Sequence, residues 1–194
     1  MKIKKTIIVL LLCFLPIASF AQKVGEALSA WEEGYMDIHH INTGCGECAY
    51  LILPDGTTML IDAGENKAGN PRHVPPKPNA GRTPGEWIVD YIKAMAPAQN
   101  QKLDYALITH FHSDHMGGVL KMKNESGRYY NTGIIAVAEN LQISTLVDRG
   151  FPDYKFLVDT EDKMIKNYFN FLHFTKRRIN AEQFLSLIHI SEPT

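Results

Sequence analysis

The chain has 194 residues, 45% of them hydrophobic and 21% charged, and its formal net charge is -1 at pH 7. This length is typical of one domain, and the hydrophobic content suffices for a buried core, which excludes a disordered or fibrous protein. The charge excludes a strongly basic surface, so the sequence has no strong nucleic-acid-binding signature. A short basic cluster, Lys176-Arg-Arg178, is interpreted as a solvated helix end rather than a phosphate-binding patch.

The N-terminus has the features of a signal peptide. Lysines within Met1–Lys5 precede an apolar run from Ile7 to Leu15, and Ala18-Ser-Phe-Ala21 provides small residues for cleavage after Ala21. A transmembrane anchor is the alternative, but the run is shorter than the roughly 18 to 20 apolar residues that span a bilayer. We therefore predict that residues 1–21 are removed and that the mature protein is periplasmic or secreted, with no membrane association.

The mature segment begins with the pattern of an antiparallel sheet. Tyr35 to Ile41 and Ala49 to Leu53 are predicted short strands on either side of the turn Thr43-Gly-Cys-Gly46. Pro54-Asp-Gly56 is a strong hairpin signal, and it predicts a third strand at Thr58 to Ile61.

Two cysteines of the mature chain have the spacing of a redox or zinc pair, Cys45-Gly-Glu-Cys48. A second pair that would complete a four-cysteine site is absent. Because export places these thiols in an oxidising compartment, a local disulfide or two free thiols are preferred to a metal site, and both remain open. A lipid anchor on Cys13 is disfavoured, since Leu12 stands where lipoprotein signals carry a small residue.

A long loop and then alternating helices and strands are predicted next. The five prolines between Asn66 and Pro84 exclude a regular element, so this loop is a candidate lid. Apolar residues at helical spacing predict a helix over Gly85–Met95. The later predicted elements are a buried strand at Leu103–Thr109, a short helix at Gly118–Met122, a strand at Ile143–Val147 and a helix at Thr160–Phe174 capped by Asp159 or Thr160. Strands that alternate with helices indicate an α/β domain.

Four potential metal ligands follow the buried strand within six residues: His110, His112, Asp114 and His115. Because side chains alternate along an extended backbone, His110 and His112 are expected to face one ion. A turn permitted by Gly117-Gly118 then directs Asp114 and His115 toward a second ion. Zinc prefers imidazole and carboxylate ligands in catalytic sites, and two such ions can hold a bridging hydroxide at neutral pH.

Histidines at a strand end can instead cap a helix or pack under a loop. Desolvating four polar groups together without an ion would be costly, so this cluster favours metal binding. Since the cluster already supplies ligands, the other histidines are interpreted as core or strand-face residues: His39, His40, His73 and His173.

His110-Phe-His-Ser-Asp-His115 matches the H-x-H-x-D-H signature of the metallo-β-lactamase superfamily, and Leu60-Ile-Asp-Ala-Gly64 matches its upstream motif. The resemblance covers roughly Tyr35 to Asp148. It implies a zinc-dependent hydrolase that uses a metal-bound hydroxide, with two zinc ions in the full-length protein. Asp114 and Asp62 are then the candidate catalytic carboxylates. Asp62 is expected to support a metal ligand from behind, although a plain turn residue is the alternative.

Within that superfamily, the opening of the segment resembles the hydrolase domain of ComEC-type DNA-uptake proteins. Those proteins typically have Asp-Val-Gly-Gln-Gly-Asp where this chain has Asn42-Thr-Gly-Cys-Gly-Glu47, so Cys45 departs from the pattern. This resemblance implies a phosphodiester substrate. Asp148-Arg-Gly-Phe-Pro-Asp-Tyr154 resembles a segment seen in exported members, without an assigned role.

The resemblance also implies a four-layer αβ/βα sandwich made of two similar halves, of which this chain contains the N-terminal half. The further ligands of the second half have no match downstream, and Leu185–Thr194 resembles the translated product of a sequencing-library adapter. We therefore predict an incomplete metallo-β-lactamase-like domain over residues 22–184 and a non-native tail over 185–194. His189 is accordingly not recruited as a ligand.

Three functions are compatible with the sequence. The preferred one is an exported zinc-dependent hydrolase acting on a phosphodiester. A hydrolase of amide, lactone or thioester bonds uses the same chemistry, and a degenerate metal-binding module is the non-enzymatic alternative. The expected partner is a small-molecule or phosphodiester substrate; the sequence does not indicate an oligomeric state. The 194-residue chain itself is expected to be inactive, because each ion has only two ligands.

Overall fold

The structure, a computed structural model, describes residues 25–65, 74, 78–150, 154, 159–175 and 185–186. Some features singled out in the sequence lie outside these residues: the signal peptide, most of the proline-rich loop, His73, Lys176-Arg-Arg178 and His189. None of the helices in the described ranges has the length and apolar character that a membrane span requires.

Six strands form one mixed sheet in chain order: β1 (Asp37–His40), β2 (Ala49–Ile52), β3 (Thr58–Ile61), β4 (Leu103–Leu107), β5 (Ile143–Asp148) and β6 (Leu185–Ser186). The first three strands are antiparallel, and β4, β5 and β6 continue the sheet in parallel. The hairpin between β2 and β3 turns at Gly56, whose φ of 82° suits glycine. The predicted antiparallel start and the α/β class are therefore confirmed.

Helix α1 (Pro84–Met95) confirms the predicted helix and begins one residue earlier. Thr83 and Glu86 form a reciprocal capping box at its start, and proline occupies the first helical position, where no amide hydrogen is needed. The buried side of α1 includes Ile88, Val89 and Ile92, whereas Trp87 is only half-buried.

The helices after β4 differ from the predictions: α2 (Ser113–Met116), α3 (Gly133–Asn140) and α4 (Lys163–Thr175). The predicted helix at Gly118–Met122 is wrong. Residues 118–122 form a turn and irregular backbone instead, and the Val119 amide donates to the side chains of Glu65 and Thr132, at 3.1 and 2.9 Å. Helix α3 escaped prediction because its buried residues are consecutive rather than periodic.

Helix α4 starts three residues later than predicted, and its cap is different. The Asp162 carboxylate accepts hydrogen bonds from the amides of Met164 and Ile165, at 2.7 and 3.2 Å. This is the side-chain pattern of an N-cap, so Asp162 caps the helix and neither Asp159 nor Thr160 does.

The core lies against one face of the sheet. Alternate strand residues in register across β2 to β5 are fully buried: Tyr50, Leu60, Ala106 and Leu146. They form one hydrophobic cluster with buried residues of α1, α3 and α4, including Ile92, Ile134 and Phe171. This packing is what holds the carboxyl ends of β3, β4 and β5 side by side.

The opposite face of the sheet is apolar but incompletely covered. Ile38 is 55% exposed and Tyr105 is 42% exposed, and Leu51 and Met59, which lie between them in the register, are half-buried. A sheet with two apolar faces is typical of one that packs on a second layer.

Candidate metal centre

The histidine segment lies at the carboxyl end of β4. His110 follows the strand by three residues, and the chain turns into α2 at Ser113, inside the segment. The carbonyl of His112 accepts hydrogen bonds from the amides of His115 and Met116, at 3.0 and 2.9 Å. The predicted turn at Gly117-Gly118 is therefore wrong in position: the turn that redirects the side chains begins four residues earlier.

The three imidazoles of the segment form one cluster. The ring centroids of His110 and His112 are 4.7 Å apart, and those of His110 and His115 are 3.7 Å apart. Burial lowers the pKa of His110, and the neighbouring His115 and His112 rings lower it further. The neutral ring that this favours is the form that binds a metal. Asp114 lies beside the cluster, with a carboxylate oxygen 3.9 Å from Nε2 of His115.

Asp62 is hydrogen-bonded to one imidazole of the cluster, that of His115. Its buried carboxylate accepts a hydrogen bond from Nδ1 of His115 at 2.8 Å, and from the Thr109 amide and hydroxyl at 2.8 and 2.7 Å. This fixes the His115 ring and leaves its Nε2 facing away from Asp62. Asp62 also has a φ of 59°, a conformation that non-glycine residues adopt at constrained functional positions. The contact of Thr109 with Asp62 was not anticipated from the sequence.

Two loops form hydrogen bonds with the main chain of the histidine segment. The Glu47 amide donates to the Asp114 carbonyl at 2.9 Å, and the Ala63 amide donates to the His115 carbonyl at 2.7 Å. This close approach requires glycine, because a Cβ on Gly46 or Gly64 would lie 1.8 or 2.2 Å from the backbone carbonyl oxygen of Asp114. The turn before β2 and the turn after β3 therefore set the position of the ligand backbone.

Glu65 is a buried carboxylate that the sequence reasoning missed. It accepts hydrogen bonds from the Thr132 hydroxyl and from the amides of Val119 and Gly118, while its own amide donates to the Ser113 carbonyl at 3.1 Å. Burial raises its pKa, against hydrogen bonds that act to lower it. Its position directly after Asp-Ala-Gly is the only sequence signal that could have drawn attention to it.

The other candidate residues lie apart from this cluster. His39 is hydrogen-bonded through Nδ1 to the Tyr91 hydroxyl at 3.0 Å, and His40 and His173 are exposed. Burial lowers the pKa of His39, and Asp37 acts in the opposite direction. His39 and His40 thus lie on strand β1, as expected, whereas His173 is an exposed residue of helix α4 rather than a core or strand-face residue.

Cys45 and Cys48 are both free thiols. Cys48 is buried in the core, where burial raises its pKa and the charges of Asp62 and Glu47 raise it further. A buried thiol that resists ionisation is a poor metal ligand and a poor nucleophile.

Within the described ranges, no group of three or more His, Cys, Asp or Glu side chains is arranged to hold a metal ion. The types of donor nevertheless suit zinc, since three imidazoles and one carboxylate lie within six residues after a strand end. The pairing of His115 with the buried Asp62 is also the arrangement that orients a metal-bound histidine. The assignment from the sequence requires only two of these donors for each ion.

A sequence profile of the metallo-beta-lactamase superfamily matches residues 42–127. The matched segment contains Asp62 and all four candidate ligands, and it spans the two loops that grip them. The α/β arrangement is consistent with the fold of that superfamily, whose members are generally hydrolases. No curated protein matches the chain.

Proposed function

We propose that this chain is the N-terminal half of an exported, zinc-dependent hydrolase of the metallo-beta-lactamase superfamily. The observation that carries the proposal is the imidazole cluster of His110, His112 and His115, oriented by the buried Asp62 inside the segment that matches the superfamily. A plain structural role would not explain three imidazoles packed together at a solvent-accessible strand end.

The residues of the chain have separate tasks in this proposal. His110 and His112 would hold one zinc ion, and Asp114 with His115 would hold the other. When bound, zinc supplies Lewis acidity, which lowers the pKa of a water molecule and polarises the bond to be cleaved. Asp62 keeps the proton on Nδ1 of His115, so that Nε2 remains available as a donor.

The half-domain part of the proposal rests on the sheet. Its second face is apolar and incompletely covered, with Ile38 and Tyr105 more than one third exposed. In a four-layer sandwich, this face would pack against the sheet of the other half. We propose that the missing half also supplies the remaining zinc ligands, so that the 194-residue chain alone is inactive and poorly soluble.

A phosphodiester is the favoured substrate class, on the likeness of the Asn42–Glu47 region to ComEC-type hydrolase domains. Hydrolysis of an amide, lactone or thioester is the second candidate. Turnover of a bis-aryl phosphodiester and of a lactam and lactone panel should be compared for the chain and for a protein with its second half restored. Zinc-dependent turnover by the chain alone, lost on His115→Ala, would overturn the half-domain proposal.

Zinc binding is tested directly by equilibrium dialysis and elemental analysis. The chain should take up zinc weakly, and His110→Ala combined with His112→Ala should abolish the uptake. His173→Ala is the matched control, because His173 is an exposed histidine outside the cluster. Equal zinc content in the double variant and the wild type would contradict the proposed metal site.

Export is tested by expression in a bacterium and analysis of the periplasmic protein. We expect a mature N-terminus at Gln22. An intact mass that includes Met1 in the exported material would contradict signal cleavage.

A further inference from the structure

An open cleft of about 370 Å³ adjoins the histidine cluster. His110, Phe111 and His112 form one side of it, and Arg149 lies on the turn that directly follows β5. The cleft thus sits beyond the carboxyl ends of two neighbouring parallel strands, β4 and β5, where α/β proteins bind their ligands. A side chain on the turn after β5 that lines this cleft is in a position to contact a substrate that binds at the histidines.

One hydrogen-bond donor of Arg149 has no partner in the part of the chain that the structure describes. Its Nε is buried, and no acceptor for it exists among the residues that the structure describes. A buried N–H without an acceptor is destabilising, so such a group is expected to have a partner when the protein functions. Because the guanidinium lines the cleft, a bound ligand can supply that acceptor.

The turn that carries Arg149 is held rigidly. The buried carboxylate of Asp148 accepts hydrogen bonds from the Gly150 amide at 2.8 Å and from the hydroxyls of Tyr154 and Tyr168 at 2.7 and 2.8 Å. Burial raises the pKa of both tyrosines, and the charge of Asp148 raises it further, so both hydroxyls remain donors. The backbone around Arg149 is therefore preorganised.

The same frame supports the histidine segment. The Phe111 ring lies between His110 and His112 in the sequence, and it packs against the rings of Tyr154 and Tyr168 at centroid distances of 5.9 and 5.7 Å. The same two tyrosines therefore contact both Phe111 of the histidine segment and Asp148, which directly precedes Arg149.

Two carboxylates also line the cleft, but their hydrogen bonds are directed to the main chain. Asp159 accepts from the Glu161 amide at 2.9 Å, and Asp162 caps α4. Neither forms a described ion pair with Arg149 at 4.0 Å or less. Among the described residues that line the cleft, one is a cation and two are exposed carboxylates, and this balance disfavours a ligand of high negative charge.

We propose that Arg149 is a substrate-binding residue that holds a singly charged oxyanion of the substrate next to the histidine cluster. The planar guanidinium matches an oxyanion that offers two oxygens, as a phosphodiester or a carboxylate does. The inference rests on the proposed hydrolase function and deepens it. A phosphodiester places this oxyanion at the reacting phosphorus, whereas a lactam places it on a carboxylate beside the scissile bond.

The test is isothermal titration calorimetry of the full chain with zinc present and with EDTA. The probes are dimethyl phosphate, a carboxylate-bearing lactam, its methyl ester, and methyl phosphate as a doubly charged comparison. Arg149→Met keeps the length of the side chain but removes its charge and donors, and Arg149→Lys keeps the charge without the planar fork. Arg128→Met is the matched control, since Arg128 lies over the Phe174 ring and lines a different cleft.

We expect Arg149→Met to weaken the singly charged probe by at least about tenfold, which corresponds to 1.4 kcal/mol, and Arg149→Lys to weaken it by less. The zinc content of both Arg149 variants should equal that of the wild type. Arg128→Met should bind the probes with the affinity of the wild type. If the substitution weakens the binding of dimethyl phosphate alone, the ligand class is a phosphodiester. If it weakens the binding of the lactam but not of its methyl ester, the ligand class is a carboxylate.

Two results would overturn the inference: no binding of either singly charged probe by the wild type under both conditions, or equal affinity in Arg149→Met and the wild type. Absence of zinc binding by the wild type would instead contradict the proposed function. The titrations in EDTA, which contain no free zinc, would still decide whether Arg149 binds the oxyanion.

Discussion

Glu65 joins the turn after β3 to the segment that follows the histidines, and Glu65→Ala should destabilise the protein by about 3 kcal/mol. The substitution removes the acceptor of the Thr132 hydroxyl and of the Val119 amide at 3.1 Å, in a position that is 3% exposed. Each donor left buried without a partner costs about 1 to 3 kcal/mol. The Val119 amide retains a bond to Thr132 at 2.9 Å, and the cost of burying a carboxylate disappears, so the lower part of the combined range applies.

Glu65→Gln keeps the size of the side chain and removes its ability to ionise, so it separates the effect of packing from that of charge. Because burial raises the pKa of Glu65 above its ordinary 4.5, the folded protein holds this proton more tightly than the unfolded chain does. The part of the stability that depends on this bound proton is therefore fully present below pH 4.5 and is lost as the pH rises through the raised folded pKa. The glutamine variant cannot titrate and should lack this decline.

Urea unfolding followed by circular dichroism at pH 4, 5.5 and 7 measures both effects. Glu161→Ala is a matched control, because Glu161 is exposed and lies at the other end of the chain from Glu65. An alanine variant within about 0.5 kcal/mol of the wild type would refute the hydrogen-bond argument. An unchanged pH dependence in Glu65→Gln would refute the pKa argument.

Three further substitutions test local features. Gly46→Ala should weaken zinc binding by about tenfold in equilibrium dialysis, because its Cβ would lie 1.8 Å from the Asp114 oxygen and displace that loop; unchanged affinity would show that the loop adjusts freely. Tyr168→Phe should lower the free energy of unfolding by about 2 kcal/mol, since Asp148 loses a buried donor, and a urea midpoint equal to the wild type would contradict this. Thr83→Ala removes the cap of α1 and should cost about 1 kcal/mol in the same assay, whereas no change would mean that the cap is dispensable.

Local features of the sequence determined much of the fold. Alternating and apolar runs located β1 to β5, and Asp-Gly placed the hairpin between β2 and β3, because side-chain period and turn chemistry are properties of neighbouring residues. The spacing of His110, His112 and His115 marked the candidate centre for the same reason, since one short segment contains all three.

Only the tertiary structure decided which residues that are distant in the sequence form hydrogen bonds with each other. Thr109 and Asp62 are 47 residues apart, and Glu65 and Thr132 are 67 apart, so their hydrogen bonds exist only once β3 and β4 pair and α3 packs beside them. Helix α3 has no helical period to reveal it, because packing buries it on several sides. Arg149 was one cation among 20 in the sequence; only the pairing of β5 with β4 places it in the cleft beside His110.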